Sequence, residues 1–285
     1  MAREILVSAI IPTYNRRELV QRAIDSVLAQ DVAVDEVIVV DDGSTDGTAE
    51  ALRARYGERI TCLRQANAGV SAARNAGMAA ARGRFIALLD SDDLWTPDKT
   101  RRQLALFEAN PALGMVLCDV DRVDANGDYY DTFHRREVIA QDGWVFGPLL
   151  RNPSLVPASA MLRREVFEAV GGFDTSLRTA EDIDFHLRVA RRWPIGVVEA
   201  SLVKAMRGHD GLSAASSTYD DYVRVVERAV AEARAQGDVD ESLLREALAI
   251  TYTRNARGMV LRGRWADAWR LARQAWREAP GGTER

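Results

Sequence analysis

Three carboxylates fall within four residues at Asp90-Ser91-Asp92-Asp93. Like charges at that spacing raise one another's cost of ionisation, and a turn needs only one such side chain, so a counter-cation is their natural partner. Hard oxygen donors select Mn2+ or Mg2+, and a site with few protein ligands leaves coordination positions for the oxygens of a diphosphate. The same run could instead be an exposed acidic lead-in to a helix beyond Leu94-Trp95-Thr96-Pro97. Two more polar clusters follow short apolar runs, Pro12-Thr13-Tyr14-Asn15 and Asp41-Asp42-Gly43-Ser44. The second would serve equally as a capped turn into a helix.

The elements that must position these clusters are legible from periodicity. Ile5 to Ile11 is a near-continuous apolar run stopped by Pro12, the form of a strand buried on both faces of a sheet. Residues 17–29 repeat apolar side chains at helical spacing. The alternation continues with strands over 36–40, 60–63 and 85–89 and helices over 45–56 and 70–82. Such βαβ units predict a mostly parallel, doubly wound α/β sheet, with ligands bound beyond the carboxyl ends of its strands. All three polar clusters then converge on one edge.

Thr96-Pro97 predicts a helix start, with an N-cap hydroxyl and proline at the first position, running to about Asn110. Residues 116–123 read as a strand, and Asn126-Gly127-Asp128 as a hairpin turn into 129–133. Helices are expected over 164–170 and 182–192, either side of Gly171-Gly172. After Ser216-Ser217 the composition turns to Ala, Arg and Glu with helical periodicity, broken at Gln236-Gly237-Asp238. The chain therefore divides into an α/β domain over 1–215 and a helical extension over 216–285. Within the extension, Gly258 to Pro280 resembles one tetratricopeptide-like helix pair. A single pair makes a helical cap; partner binding or oligomerisation through the tail stays open.

With 47% hydrophobic and 28% charged residues and a net charge of −4, the 285 residues have the composition of an ordinary globular chain. Lys and Arg are scattered among acids, which argues against a nucleic-acid surface, and Arg16-Arg17 and Arg101-Arg102 read as solvated helix faces. Two cysteines, Cys62 and Cys118, make neither a disulfide framework nor a Cys-x-x-Cys metal site and point to a reducing cytoplasm. No apolar run approaches the roughly 18 to 20 residues of a membrane span. The N-terminus lacks the basic-then-apolar pattern of a secretory signal. A cytoplasmic location is expected, with peripheral attachment at the inner face of the membrane left open.

The clusters also occur in a telling order. Ile11-Pro12-Thr13-Tyr14-Asn15-Arg16 is followed by Val39-Val40-Asp41-Asp42-Gly43-Ser44-Thr45-Asp46, by Asn67-Ala68-Gly69 with Ala73-Arg74-Asn75-Ala76-Gly77, and by Asp90-Ser91-Asp92. Gly171-Gly172-Phe173-Asp174, Glu181-Asp182-Ile183-Asp184 and Arg207-Gly208-His209 with Ser213 continue the pattern. Over roughly residues 5–215 the sequence resembles the family 2 glycosyltransferases. The resemblance implies a GT-A fold and inverting transfer of a sugar from a nucleoside diphosphate sugar, commonly a UDP-sugar, to an acceptor hydroxyl. Synthesis of a cell-surface polysaccharide or glycoconjugate is the implied setting.

It also implies roles. Pro12, Thr13 and Tyr14 would line the nucleoside pocket, with the Tyr14 ring stacked on the base, and Asp42 would accept the ring N–H of uracil. Arg74 would contact the nucleotide, Asp90 with Ser91 would face the ribose or sugar, and Asp92 would bind Mn2+ or Mg2+, which stabilises the departing diphosphate. An inverting displacement needs a base on the face opposite the leaving group. Asp182, beside Glu181 at a helix start, takes that role here; the alternative is an acid that complements the helix dipole. Arg207, His209 and Ser213 belong to a glycine-containing loop that, in the family, folds over the diphosphate. Arg207 would neutralise phosphate and His209 would ligate the metal or donate to an oxygen, although a lone loop histidine is often incidental.

His134 and His186 receive no role. The acceptor, whether a sugar, a lipid-linked or a protein hydroxyl, should lie against residues 124–160, where Trp144 and Phe146 read as core. A nucleotidyltransferase is disfavoured, because the first strand ends in Pro12-Thr13-Tyr14-Asn15 rather than in a glycine-rich loop with a basic residue. A nucleotide-sugar-binding scaffold without turnover would not need the candidate metal ligand and base.

Overall fold

The structure, a computed structural model, describes residues 5–124, 127–153, 156–206 and 218–279. The first half alternates as expected: β1 (Val7–Thr13), α1 (Arg17–Leu28), β2 (Glu36–Asp41), α2 (Thr48–Tyr56), β3 (Thr61–Arg64), α3 (Val70–Ala80) and β4 (Phe85–Leu88). Then come β5 (Leu94–Trp95), α4 (Lys99–Ala109), β6 (Met115–Val123), β7 (Tyr129–Phe133), α5 (Phe146–Arg151), β8 (Met161–Arg163), α6 (Arg164–Val170), α7 (Glu181–Arg192) and β9 (Ile195–Met206). Three helices close the chain: α8 (Thr218–Gln236), α9 (Glu241–Leu261) and α10 (Trp265–Glu278).

All strands among the described residues join one sheet in the order β3-β2-β1-β4-β8-β6-β9-β5, with β7 hairpinned onto β6. The β3-β2-β1-β4 half is parallel. Beyond it the sheet is mixed, because β8 runs antiparallel to both β4 and β6, while β9 returns parallel to β6. Every residue of β1 is buried, its side chains alternating between two cores. Ile10 points to one core and Val7, Ala9 and Ile11 to the other. β4 accompanies β1 only to Ile10, so Pro12, which has no N–H to offer, extends past it with β2 alone alongside.

The expected helix start at Thr96-Pro97 is displaced to Lys99 because tertiary contacts claim its backbone. Leu94 and Trp95 pair with Lys204 and Val203, the N–H of Thr96 donates to the Leu202 carbonyl, and Gln30 Nε2 donates to Thr96 O at 2.7 Å. Trp144 is a second correction. Phe146 is core as expected, but Trp144 is 70% exposed. It follows Gly143, which bridges Ile195 at the start of β9, the opposite sheet edge from the carboxyl ends of β1 and β2.

The C-terminal helices are continuous with the sheet's own core. Val226, Val230, Leu244, Leu248 and Leu271 share one apolar cluster with Ile10, Leu88 and Phe185. The motif glycines act where chains meet. A Cβ on Gly77 would stand 2.4 Å from Ile10 Cγ2, so α3 lies against β1 at a distance only glycine permits. Gly77→Ala should therefore cost about 1 to 3 kcal/mol of stability, read as a lower urea midpoint with an unchanged slope.

Candidate active site

Glycine and side-chain caps stitch the carboxyl ends of β1 and β2 together. Asn15, whose φ of 50° suits asparagine better than most L residues, receives the amide of Thr45 on Oδ1 at 2.8 Å, and its own amide donates to Ser44 Oγ at 2.9 Å. Gly43, at φ 83°, lets residues 65–69 pass close, since a Cβ there would meet Asn67 N at 2.9 Å. Asp42 is buried and holds that passing segment. Its Oδ1 accepts from Gln65 Nε2 at 2.7 Å and Ala68 N at 2.9 Å, and its Oδ2 from Gly69 N at 2.8 Å. A carboxylate offers about four lone-pair sites, so one on Oδ2 remains open to an incoming N–H. Beside it Thr13 is buried with its hydroxyl unbonded, while the Tyr14 ring is 46% exposed.

Three positions in one turn of α3, 74, 75 and 77, divide the next task. Arg74 is buried and bridges two carboxylates, donating Nη2 to Asp90 at 2.6 Å and Nη1 to Glu181 at 2.8 Å, with its guanidinium 5.1 Å from the Phe173 ring centre. Burying one guanidinium costs several kcal/mol, which the two hydrogen-bonded acids offset. Asn75 exchanges two bonds with the backbone of Phe173, at 2.7 and 2.8 Å, and would be struck by a Cβ on Gly172. Gly77 supplies the close approach to β1. Strand edge, Gly-Gly-Phe loop and the first turn of α7 thus share α3 as their jig.

Asp182 follows Glu181 in that first turn and is only half-buried. Desolvation first, then the neighbouring Glu181 charge, push its carboxyl up to about 7, with Arg74 opposing. The rest of the acidic run divides. Asp92 pairs with Arg16. Ser91 is buried, and so is Asp93, whose Oδ1 accepts from Met206 N at 3.2 Å at the end of β9. Burial, with Asp90 and Asp92 close by, holds Asp93 well above the usual carboxylate range. Asp93 is thus more than a lead-in to the next helix. Five acids (Asp90, Asp92, Asp93, Glu181 and Asp182) face two arginines, Arg16 and Arg74, in this edge. An excess of carboxylates suits a hard cation. No trio of His, Cys, Asp or Glu is spaced to hold a metal by itself among the described residues, so phosphate oxygens would have to complete the shell around Asp92. Arg207, His209 and Ser213 lie outside the described residues.

The sequence model of glycosyl transferase family 2 matches residues 8–171. The chain belongs to that family. It is 36% identical over 182 residues to an uncharacterized glycosyltransferase of Nostoc sp. strain PCC 7120, covering 59% of this chain and 54% of that one. It is 35% identical over 160 residues to the succinoglycan biosynthesis protein ExoO of Rhizobium meliloti, covering 56% and 44%. The chain thus spans about half the length of these curated relatives. Among solved structures, S. aureus TarS 1–349 in complex with UDP-GlcNAc superposes with a TM-score of 0.77 at 20% identity, covering 96% of this chain and 82% of that one. A mannosyltransferase of Pyrobaculum calidifontis in complex with GDP-Man and Mn2+ gives 0.65 at 22%, covering 95% and 74%. The fold is GT-A.

Within this family 2 fold, two features escaped the sequence reading. Arg16, taken for a solvated helix face, turns into the site and meets Asp92. The start of α7 is also moored to α8: Asp221 Oδ2 accepts from the amide and hydroxyl of Thr179 at 3.2 and 3.0 Å, and Arg228 donates to Asp184 at 2.5 Å and Asp174 at 3.0 Å. His186, which had no role, is buried with neither ring nitrogen bonded, and desolvation pulls it down to about 3, so it is neutral.

The Asp182 shift carries a stability signature. Its carboxyl ionises near 3.8 in an unfolded chain and near 7 in the fold, so the native state loses relative stability as pH rises between those values. Asp182→Asn removes this cost. Its melting temperature should match the parent at pH 4 and exceed it by several degrees at pH 8, a comparison that differential scanning fluorimetry makes directly.

Proposed function

We propose that this protein is a metal-dependent, inverting glycosyltransferase that moves a sugar from a nucleoside diphosphate sugar, a UDP-sugar in the first instance, to an acceptor hydroxyl in polysaccharide or glycoconjugate synthesis. One observation carries the proposal: Arg74 ties Asp90, on the diphosphate side, to Glu181, the residue before Asp182. On this reading a donor contact and the residue next to the base belong to one hydrogen-bonded unit, and the Asp182 carboxyl, near 7, lies beside it. Family membership, the ExoO relative and the UDP-GlcNAc and GDP-Man complexes of the structural neighbours support the choice of donor and setting.

In this account Tyr14 offers its exposed ring to the base, Asp42 keeps one lone pair for a ring N–H, and Asp90 faces the ribose or sugar. Asp92 would hold Mn2+ or Mg2+ together with the diphosphate; the cation, when bound, supplies Lewis-acid stabilisation of the leaving group. Arg16 balances Asp92 and is free to turn to phosphate once Asp92 takes a cation. Asp182, deprotonated, takes the acceptor's hydroxyl proton; a base near 7 is half available at neutral pH and still basic enough to act.

Screening a panel of nucleotide sugars with Mn2+ for slow release of a nucleoside diphosphate should identify one donor; release from none of them contradicts the proposal. With that donor, Asp182→Asn should keep donor affinity and lose about 10² to 10⁴ in turnover, whereas Asp92→Asn should lose Mn2+-supported binding itself. The turnover rate should climb tenfold per pH unit up to about pH 7 and then level off, because only the ionised Asp182 is active.

A further inference from the structure

The last helix carries a surface that the transfer reaction does not use. On α10, Ala268, Leu271 and Ala275 are buried toward the rest of the tail, yet Trp265, Trp269 and Trp276 are 67, 69 and 57% exposed. At 100° per residue these three tryptophans fall within about 40° of one another, and at 1.5 Å per residue they form a straight stripe roughly 16 Å long. Leu261, at the end of α9 and just before the turn into α10, is 87% exposed as well. Arg270, Arg273 and Arg277 are exposed and run beside the tryptophans on the next strip of the helix. The acids of α10 lie on the side away from the tryptophans and are engaged: Asp267 with Arg264 at 2.8 Å and with Arg270 at 3.2 Å, and Glu278 with Arg245 at 3.4 Å.

The geometry points to an anionic bilayer surface as the partner of this face, with α10 lying in the plane of the interface. Indole is amphipathic and settles at headgroup level, where its ring meets acyl chain and its N–H meets water. Arginines in a parallel row give the attraction to acidic headgroups, and a Trp/Arg helix is the form that binds in the interface rather than across it. No helix among the described residues is long and apolar enough to span a membrane. A second copy docked through the same face would bring arginine rows together with Asp267 as the one acid beside them, already shared by Arg264 and Arg270, so charge complementarity favours lipid over self-association.

The test is sedimentation of the full chain with vesicles of phosphatidylglycerol and phosphatidylcholine, against phosphatidylcholine alone, at about 0.1 M salt. The parent should sediment with the anionic vesicles and its tryptophan emission should shift to the blue. Trp265→Ser/Trp269→Ser/Trp276→Ser and, separately, Arg270→Gln/Arg273→Gln/Arg277→Gln should each lose about tenfold or more in partitioning while keeping the parent's circular dichroism melt. A parent that stays in the supernatant, or a tryptophan variant that partitions like the parent, overturns the proposal. So does a parent that elutes as a dimer, dissociates on tryptophan substitution and binds no vesicle; that face would then join two copies.

Discussion

The guanidinium of Arg74 sits between Asp90 and Glu181, and little in the candidate site is independent of it. Asp90 leaves the sheet after β4, Glu181 opens α7, and Arg74 reaches both from α3. Its charge is buried, so it needs both acids; the acids in turn would repel each other without it. Arg74 itself is placed by its neighbours in sequence. Gly77 brings α3 against Ile10 of β1, and Asn75 grips the backbone of Phe173 in the Gly-Gly-Phe loop ahead of α7. One stretch of helix therefore fixes the distance between Asp90 and the first turn of α7.

The same constraint explains why the C-terminal helices share a core with the sheet. Glu181 and Asp182 lie in the first turn of α7, where Ala180 has a left-handed φ of 60° that an alanine does not favour unaided. Thr179 is held by Asp221, and Asp184 and Asp174 by Arg228, all from α8. Buried Phe185, stacked on Phe173 at 4.4 Å, continues into the apolar cluster that α8, α9 and α10 complete. The tail thus holds the helix that carries Asp182, the proposed base, while its outermost face stays exposed.

Much of this was legible in the chain. The apolar run into Pro12 has the form of a strand buried on both faces, and its repetition at βαβ intervals points to the parallel half of the sheet and the convergence of the three polar clusters. The ordered motifs then nominate Asp42, Arg74, Asp90, Asp92 and Asp182, the residues that the proposed mechanism uses. What was not legible depended on which loops meet in space. Arg16 looks like any basic residue at a helix start until the β1 and β4 loops bring it to Asp92. The two-residue strand Leu94–Trp95 has no periodicity to read, and its pairing with β9 is what overrides the capping signal of Thr96-Pro97. Asp221 and Arg228 act across more than 40 residues of sequence. Trp144 is large and apolar, yet it lies beyond a bridge at the sheet's far edge, where nothing covers it.

The central claim is that one guanidinium keeps donor site and base in register, and the pH–rate profile of Arg74→Lys tests it most directly. A lysine keeps the charge but cannot bridge two carboxylates with a planar fork. The account predicts a fall in turnover of about a hundredfold, since a base displaced by about 1 Å loses that much, with the acid limb staying near the parent's value of about 7, because the retained positive charge still opposes burial and Glu181 at the Asp182 carboxyl. Turnover equal to the parent's across that profile would contradict it.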